Sequence, residues 1–182
     1  MTINPEVYSY SLAANGCLHA KIQFRIMIII REYTKSDDIA TQEVFFKAVQ
    51  ESNSKDYSPD QIDAWLKSGS DIEIWRQKRV AVKTYIAEIS GKVVGFTDVN
   101  QQGYINMMFV DSDYSGMGVA TELLDKVTAV AADMSCKELT AHVSITAKPF
   151  FLKQGFEVVK ECQRSLYGVG FINYAMRKRL VI

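Results

Sequence analysis

Three strand-like runs follow one another between Thr84 and Val110: TYIAEI, VVGFTDV and YINMMFV. Ser90-Gly91-Lys92 and Gln101-Gln102-Gly103 separate them. β-Branched and aromatic runs joined by turns this short and glycine-bearing pair as antiparallel neighbours, because a parallel return needs a long crossover. Three antiparallel strands in a row are therefore expected at the centre of the fold.

Helical periods lie on either side. IMIII at 26 to 30 predicts a buried first strand, about 26–32, and Ile39, Val44, Phe45, Ala48 and Val49 then recur at helical spacing, predicting a helix over 36–51. In YSPDQIDAWLKSG, Ser58 caps, Pro59 takes the first helical position, Gln61 completes a capping box and Gly69 closes the helix. Val119, Ala120, Leu123, Leu124, Val127 and Ala131 share one side of a helix over about 118–134. A strand (ELTAHVSI), a short helix (about 146–154) and two closing strands (about 156–163 and 171–178) complete the order β, α, α, β, β, β, α, β, α, β, β. The fold class is mixed α/β.

At 182 residues the chain fits one domain. Residues 27–182 form that domain, with 1–26 read as an N-terminal extension outside the core and Met27 as an alternative start. Lysine plus arginine number 21 and aspartate plus glutamate 21, so no net field gathers nucleic acid or an anionic membrane. Lys78, Arg79 and Lys83, and the RKR at 177–179, read as solvated faces, one of them within reach of a cofactor phosphate. Cys17, Cys136 and Cys162 are widely spaced and form no CxxC pair, which indicates neither a disulfide framework nor a metal site. IMIII falls far short of the roughly 20 residues that span a bilayer, and the segment before it lacks the basic start and continuous apolar core expected of a secretory signal. A cytoplasmic location is expected.

YSGMGVATELL, residues 114 to 124, places Gly116 and Gly118 at the mouth of a helix that follows a strand. The first N–H groups of such a helix lack backbone partners and sit at the positive end of its dipole, so they suit an anion. Glycines at this spacing serve equally to open a helix. No GK[ST] follows, and the order of elements is not that of a dinucleotide fold.

FVDSDYSGMGVATELL, followed some two dozen residues later by ITAKPFFLKQGFEVV, resembles the GNAT superfamily of acetyl-CoA-dependent N-acetyltransferases over roughly residues 27 to 178. The resemblance implies a mostly antiparallel central sheet, flanked by helices and splayed at the acetyl site. It also implies that Ser115, Gly116, Met117, Gly118, Val119, Ala120 and Thr121 hold the CoA pyrophosphate, chiefly through backbone amides. Ser115 stands where the family signature has glutamine or arginine. Main-chain groups of Met108, Phe109 and Val110 would pair with the pantetheine arm. Ser144 stands where an asparagine often contacts the cofactor, and Phe151 where many members carry the tyrosine that protonates the leaving thiolate.

An alkyl ammonium of pKa about 10.4 must lose a proton before it attacks, so such a site needs a base or a water path, an oxyanion donor and an acid. Tyr167, with Cys162 and Tyr114 behind it, is the candidate acid, or else an aromatic residue packing a hairpin end. Asp98 and Glu88 are candidate bases through water, or polar residues facing solvent; His142 reads first as a core or groove histidine. Tyr57, Trp65, Trp75 and Phe171 offer an aromatic lining for a small amine, although Trp65 also shares a buried helical face with Ile62 and Leu66. The expected function is transfer of acetyl from acetyl-CoA to a primary amine of a small molecule or peptide, with no metal, no nucleic acid and no membrane, in a homodimer or monomer. The alternative is a silent acyl-CoA-binding sensor.

Overall fold

The computed structural model describes residues 8–12, 18–22 and 26–180; Cys17 and the remainder of the expected N-terminal extension lie outside the described residues. Strands β1 (Tyr8–Leu12) and β2 (Leu18–Ile22) pair antiparallel with each other. Strand β3 (Ile29–Glu32) is shorter than the apolar run predicts, since Ile26 and Met27 precede it and are exposed.

Helix α1 (Asp38–Lys47) follows a 3₁₀ turn, Lys35–Asp37, and widens into a π turn, Ala48–Ser52, so the expected helix over 36–51 is three pieces end to end. Helix α2 (Pro59–Ser68) starts as its capping box requires, with the Gln61 amide donating to Ser58 Oγ and the Ser58 amide donating to Gln61 Oε1. Helix α3 (Ile72–Val80) was not expected from the periodicity; Asp71 caps it, accepting from the amides of Glu73 and Ile74.

Strands β4 (Lys83–Ile89) and β5 (Lys92–Val99) form the expected hairpin. The third run is a correction. YINMMFV is not one strand but two: β6 (Tyr104–Ile105) and β7 (Met108–Val110), separated by Asn106 and Met107. β7 continues the antiparallel sheet in the order β3-β4-β5-β7, whereas β6 joins a second sheet in the order β6-β8-β10-β9. There it runs parallel to β8 (Glu138–Ser144). Helix α4 (Val119–Asp133) and short helix α5 (Lys148–Lys153) precede the closing hairpin of β9 (Glu157–Leu166) and β10 (Val169–Arg179). The tips of two sheets thus meet along one chain segment and part beyond it.

The sheets divide the helices into layers. Leu124, Val127, Val130 and Ala131 of α4 build the core on one face with Leu139, Ala141, Val143, Phe151 and Phe156, while Val119 and Leu123 of the same helix pack with Ala87 and Val94. On the other face Phe45, Val49, Trp75, Ile86 and Phe96 form a second core under α1 and α3. Gly95 lets α4 press onto β5, because a Cβ there would stand 3.0 Å from Val119 Cγ1 and 3.1 Å from the Phe109 carbonyl oxygen. Among the described residues no helix is long and apolar enough to cross a membrane.

Candidate active site

The bend between β6 and β7 is held from beneath. Asp98 Oδ1 accepts the backbone N–H of Asn106 at 2.8 Å and of Met107 at 2.9 Å, while the Met107 carbonyl accepts the Asp98 N–H and Thr97 Oγ1. Two amides that leave the ladder at the bend therefore keep partners, which a buried bend requires. The other Asp98 oxygen faces Arg79 Nη2 at 3.4 Å, with both side chains almost fully buried. Arg79 also lies against the Met107 sulfur and over the rings of Trp75 and Phe96. Burial pushes the Asp98 carboxyl up and the Arg79 guanidinium down from their ordinary values, more than their mutual attraction offsets.

Beyond this bend β7 is the last strand of its sheet and β8 belongs to the next, and a cleft of about 280 Å³ opens between them. Met107, Met108, Phe109, Val110 and Ser115 line one wall; Ala141, His142, Val143 and Ser144 line the other. Phe151 closes it from the α5 side, and Trp65, Ala48 and Asn53 from the α1–α2 side. Among the described residues β7 pairs only with β5, so its second edge, the one toward β8, keeps main-chain groups free for an extended ligand.

The glycine pair stands where β7 gives way to α4. Asp111 is anchored by Lys47 at 2.8 Å and Lys92 at 3.1 Å, and caps the 3₁₀ turn Ser112–Tyr114 through the Asp113 amide. Burial pushes its carboxyl up, but Lys47, that amide and Lys92 together outweigh it and hold it below the usual range. Gly116 and Gly118 take φ of 78° and 91°, the left-handed region that other residues enter at a cost. A Cβ at Gly116 would meet nothing within 4 Å, so the space over the loop is open. The Met117 N–H is spent on the Tyr114 carbonyl at 3.3 Å, whereas the first-turn amides of α4 precede the first intrahelical bond, Glu122 N–H to the Gly118 carbonyl, and have no partner within their own helix. Thr121 Oγ1 accepts from Gln154 Nε2 at 3.2 Å, tying the start of α4 to the end of α5.

Several of the residues expected at the site meet around this cleft: Met108, Phe109, Val110, Ser115, Ser144, Phe151 and Trp65 all line it. Tyr57, Trp65, Phe109 and Phe171 form one aromatic group, with centroids 5.3 to 6.4 Å apart along its contacts. Tyr57 Oη accepts the Ile145 N–H at 2.9 Å and donates to the Ile172 carbonyl at 3.3 Å, and burial raises its pKa. Ser144 Oγ accepts the Ala147 N–H at the start of α5.

Four expected residues stand elsewhere. Trp75 is 2% exposed, packs on Phe45 and Phe96 and donates its indole N–H to Thr41 Oγ1; it is core, not cleft. Asp98 is the latch of the bend, with both oxygens engaged, and does not line the cleft. Tyr167 occupies the β9–β10 turn with φ 51°, 59% exposed, under the ammonium of Lys67, so its hydroxyl is not beside Met108 or Ser144. Glu88 is paired with Arg31 at 2.6 Å. Conversely, His142 is on the cleft wall. Sequence alone ranked it lower because an alternating strand does not reveal which face its partner sheet leaves open.

The fold is that of an acetyltransferase. A family model described as an acetyltransferase (GNAT) domain matches residues 53–178. YafP of Escherichia coli K12, an uncharacterized N-acetyltransferase, is 38% identical over 150 residues, covering 82% of this chain and 95% of its own. The structure of a GCN5-related N-acetyltransferase from Rhodopseudomonas palustris superposes with TM-score 0.82 at 29% identity, over 84% of this chain and 95% of that one. The PaiA N-acetyltransferase of Thermoplasma acidophilum, in complex with coenzyme A, superposes with TM-score 0.73 at 17% identity, over 85% and 100% of the two chains. The chain belongs to the GNAT family of acetyltransferases.

Proposed function

We propose that this acetyltransferase moves acetyl from acetyl-CoA directly to a primary amine of a small molecule or peptide, with both substrates bound at once. The parting of β7 from β8 carries the reading: it gives one cleft with a wall from each sheet, so a donor and an acceptor can meet without a covalent enzyme intermediate.

The residues fit acetyl-CoA. Amides of Gly116 and Gly118 to Thr121 suit its pyrophosphate, with the loop open above Gly116. The free edge of β7 at Met108 to Val110 suits the pantetheine amides, and a main-chain N–H there faces the thioester oxygen as it gains charge. Ser144 and Phe151 take the opposite wall. Trp65 and Phe171, steadied by Tyr57, offer apolar surface to the carbon skeleton of the acceptor.

His142 is the group we assign to take the ammonium proton, since it lines the cleft while Asp98 and Glu88 are engaged elsewhere. The neutral amine then attacks the carbonyl carbon, the C–N bond forms, and the C–S bond breaks with its electron pair on sulfur. The second amine proton neutralises the thiolate. Buried Phe151 has no proton to give, so relay through water or a neighbouring hydroxyl replaces the tyrosine of other members.

Thiol release from acetyl-CoA, followed over a panel of amino acids, aminoalkyl phosphates, polyamines, aminoglycosides and N-terminal peptides, tests the reading. Amine-dependent release with matching N-acetyl product supports it. Tight acetyl-CoA binding with no amine turned over would return the chain to the sensor alternative.

A further inference from the structure

The open face of the second sheet, beside the cleft, carries a cluster that acetyl transfer as such does not require. Register fixes its rows: Phe171 opposes Arg164, Asn173 stands between Cys162 and Ser144, and Ala175 between Lys160 and His142. Arg164 reaches diagonally over these rows, its Nη2 2.8 Å from His142 Nε2, and Tyr104 Oη lies 3.2 Å from His142 Nδ1. A guanidinium only donates, so Nε2 is the acceptor, and Nδ1 carries the hydrogen and gives it to Tyr104 Oη. His142 is thereby a neutral base whose single lone pair is occupied.

The charges around this imidazole are one-sided. Arg164 and Lys160 come from β9, the phenol of Tyr104 from β6, and β10 contributes only the methyl of Ala175. Among the described residues no carboxylate stands within ion-pair distance of Arg164 or Lys160, although Arg177 two rows on is paired with Glu157 at 2.6 Å. Burial, and then Arg164 and Lys160, hold His142 below its ordinary pKa. Both cations are exposed on β9, across β10 from His142 and Ser144, which line the cleft. A planar guanidinium without an acid partner, resting on the base of the site, is arranged for an oxyanion brought by the ligand.

We propose that the acceptor is an amine that also bears an oxyanion, a carboxylate or a phosphate, held by Arg164 and Lys160. As Arg164 turns to that group, it releases Nε2 of His142 to take the ammonium proton. This rests on the acetyl-transfer reading and adds the substrate class to it. An amine without the oxyanion leaves the guanidinium on Nε2, and the base stays engaged. The anion also offsets the two cations, so His142 accepts the proton more readily in the complex than in the free enzyme. Protons balance: ammonium gives one to Nε2, and the second goes to the CoA thiolate.

The full-length protein is assayed for thiol release with matched acceptors: an amino acid, its methyl ester and its decarboxylated amine, and in a second arm an aminoalkyl phosphate with its alcohol. The oxyanion member of one arm should have kcat/KM roughly 10- to 100-fold above its partners, the range of a charge-assisted hydrogen bond, and the arm that responds distinguishes carboxylate from phosphate. Arg164→Gln should remove that advantage, raising KM for the oxyanion member while the neutral partners, whose base the guanidinium no longer covers, turn over faster; Arg164→Lys should restore part of the discrimination. His142→Gln should lower kcat and erase the acid limb of the pH profile. Equal rates for charged and neutral partners, or an Arg164→Gln effect of the same size on both, overturn the proposal while acetyl transfer stands. No turnover of any amine overturns both.

Discussion

Asp98 Oδ1 holds the backbone N–H of Met107 at 2.9 Å, at the point where one chain run leaves the second sheet and enters the first. The latch is costly to bury. Desolvation moves both Asp98 and Arg79 toward their neutral forms, so the pair serves geometry more than stability. Asp98→Ala strands Arg79 and two amides, and should cost about 3–5 kcal/mol in urea denaturation. Asp98→Asn, which keeps an acceptor for the amides, should cost less and still raise KM for acetyl-CoA, because the edge of β7 loosens. A base at this position would instead lose kcat with KM unchanged.

Gly118 sits at φ 91° and a Cβ there would find only Ile28 Cδ1, at 4.0 Å. Gly118→Ala should therefore cost only the left-handed backbone penalty, about 1–2 kcal/mol. The loss of acetyl-CoA affinity, read by calorimetry, should exceed what that modest destabilisation explains, since the amide at the mouth of α4 is re-aimed. An unchanged dissociation constant would remove the loop from the cofactor seat.

The two tryptophans should separate cleanly. Trp75, 2% exposed among Phe45 and Phe96, anchors the core, and Trp75→Ala should cost about 3–5 kcal/mol in stability. Trp65 lines the cleft; Trp65→Ala should raise KM for the acceptor several-fold with a smaller drop in melting temperature.

Arg31 grips Asp37 through two hydrogen bonds of 2.8 Å and holds its carboxyl below the ordinary value. A depressed carboxyl contributes stability above its unfolded pKa, about 3.9, and that stability is lost as pH falls through the folded value. Acid unfolding should therefore steepen below about pH 4. Arg31→Met should lower stability at pH 7 by about 1 kcal/mol, since Arg31 is partly exposed, and flatten the acid slope.

How far the sequence reached differs by element. Hairpin β4–β5, the capping box of α2 and the apolar stripe of α4 are local patterns and could be read directly. Helix α3 was missed because Arg79, read as part of a basic solvated cluster, is 1% exposed over Trp75 and Phe96. YINMMFV looked like one strand because its break depends on Asp98, a partner eight and nine residues away in a different strand. That same long-range partnership turned Asp98 from a candidate base into a latch. Tyr167 was placed near the acetyl site by its hairpin, yet its positive φ puts it at the tip of the turn. The Tyr104–His142–Arg164 cluster needs three strands in register, which no single run of sequence displays.

The most direct measurement is amide hydrogen exchange with and without acetyl-CoA. Exchange should slow at Met108 to Val110 and at Gly116 to Thr121 while the β9–β10 turn is unaffected. Slowing confined to other segments, with these two unchanged, would contradict the seating of acetyl-CoA between β7 and α4.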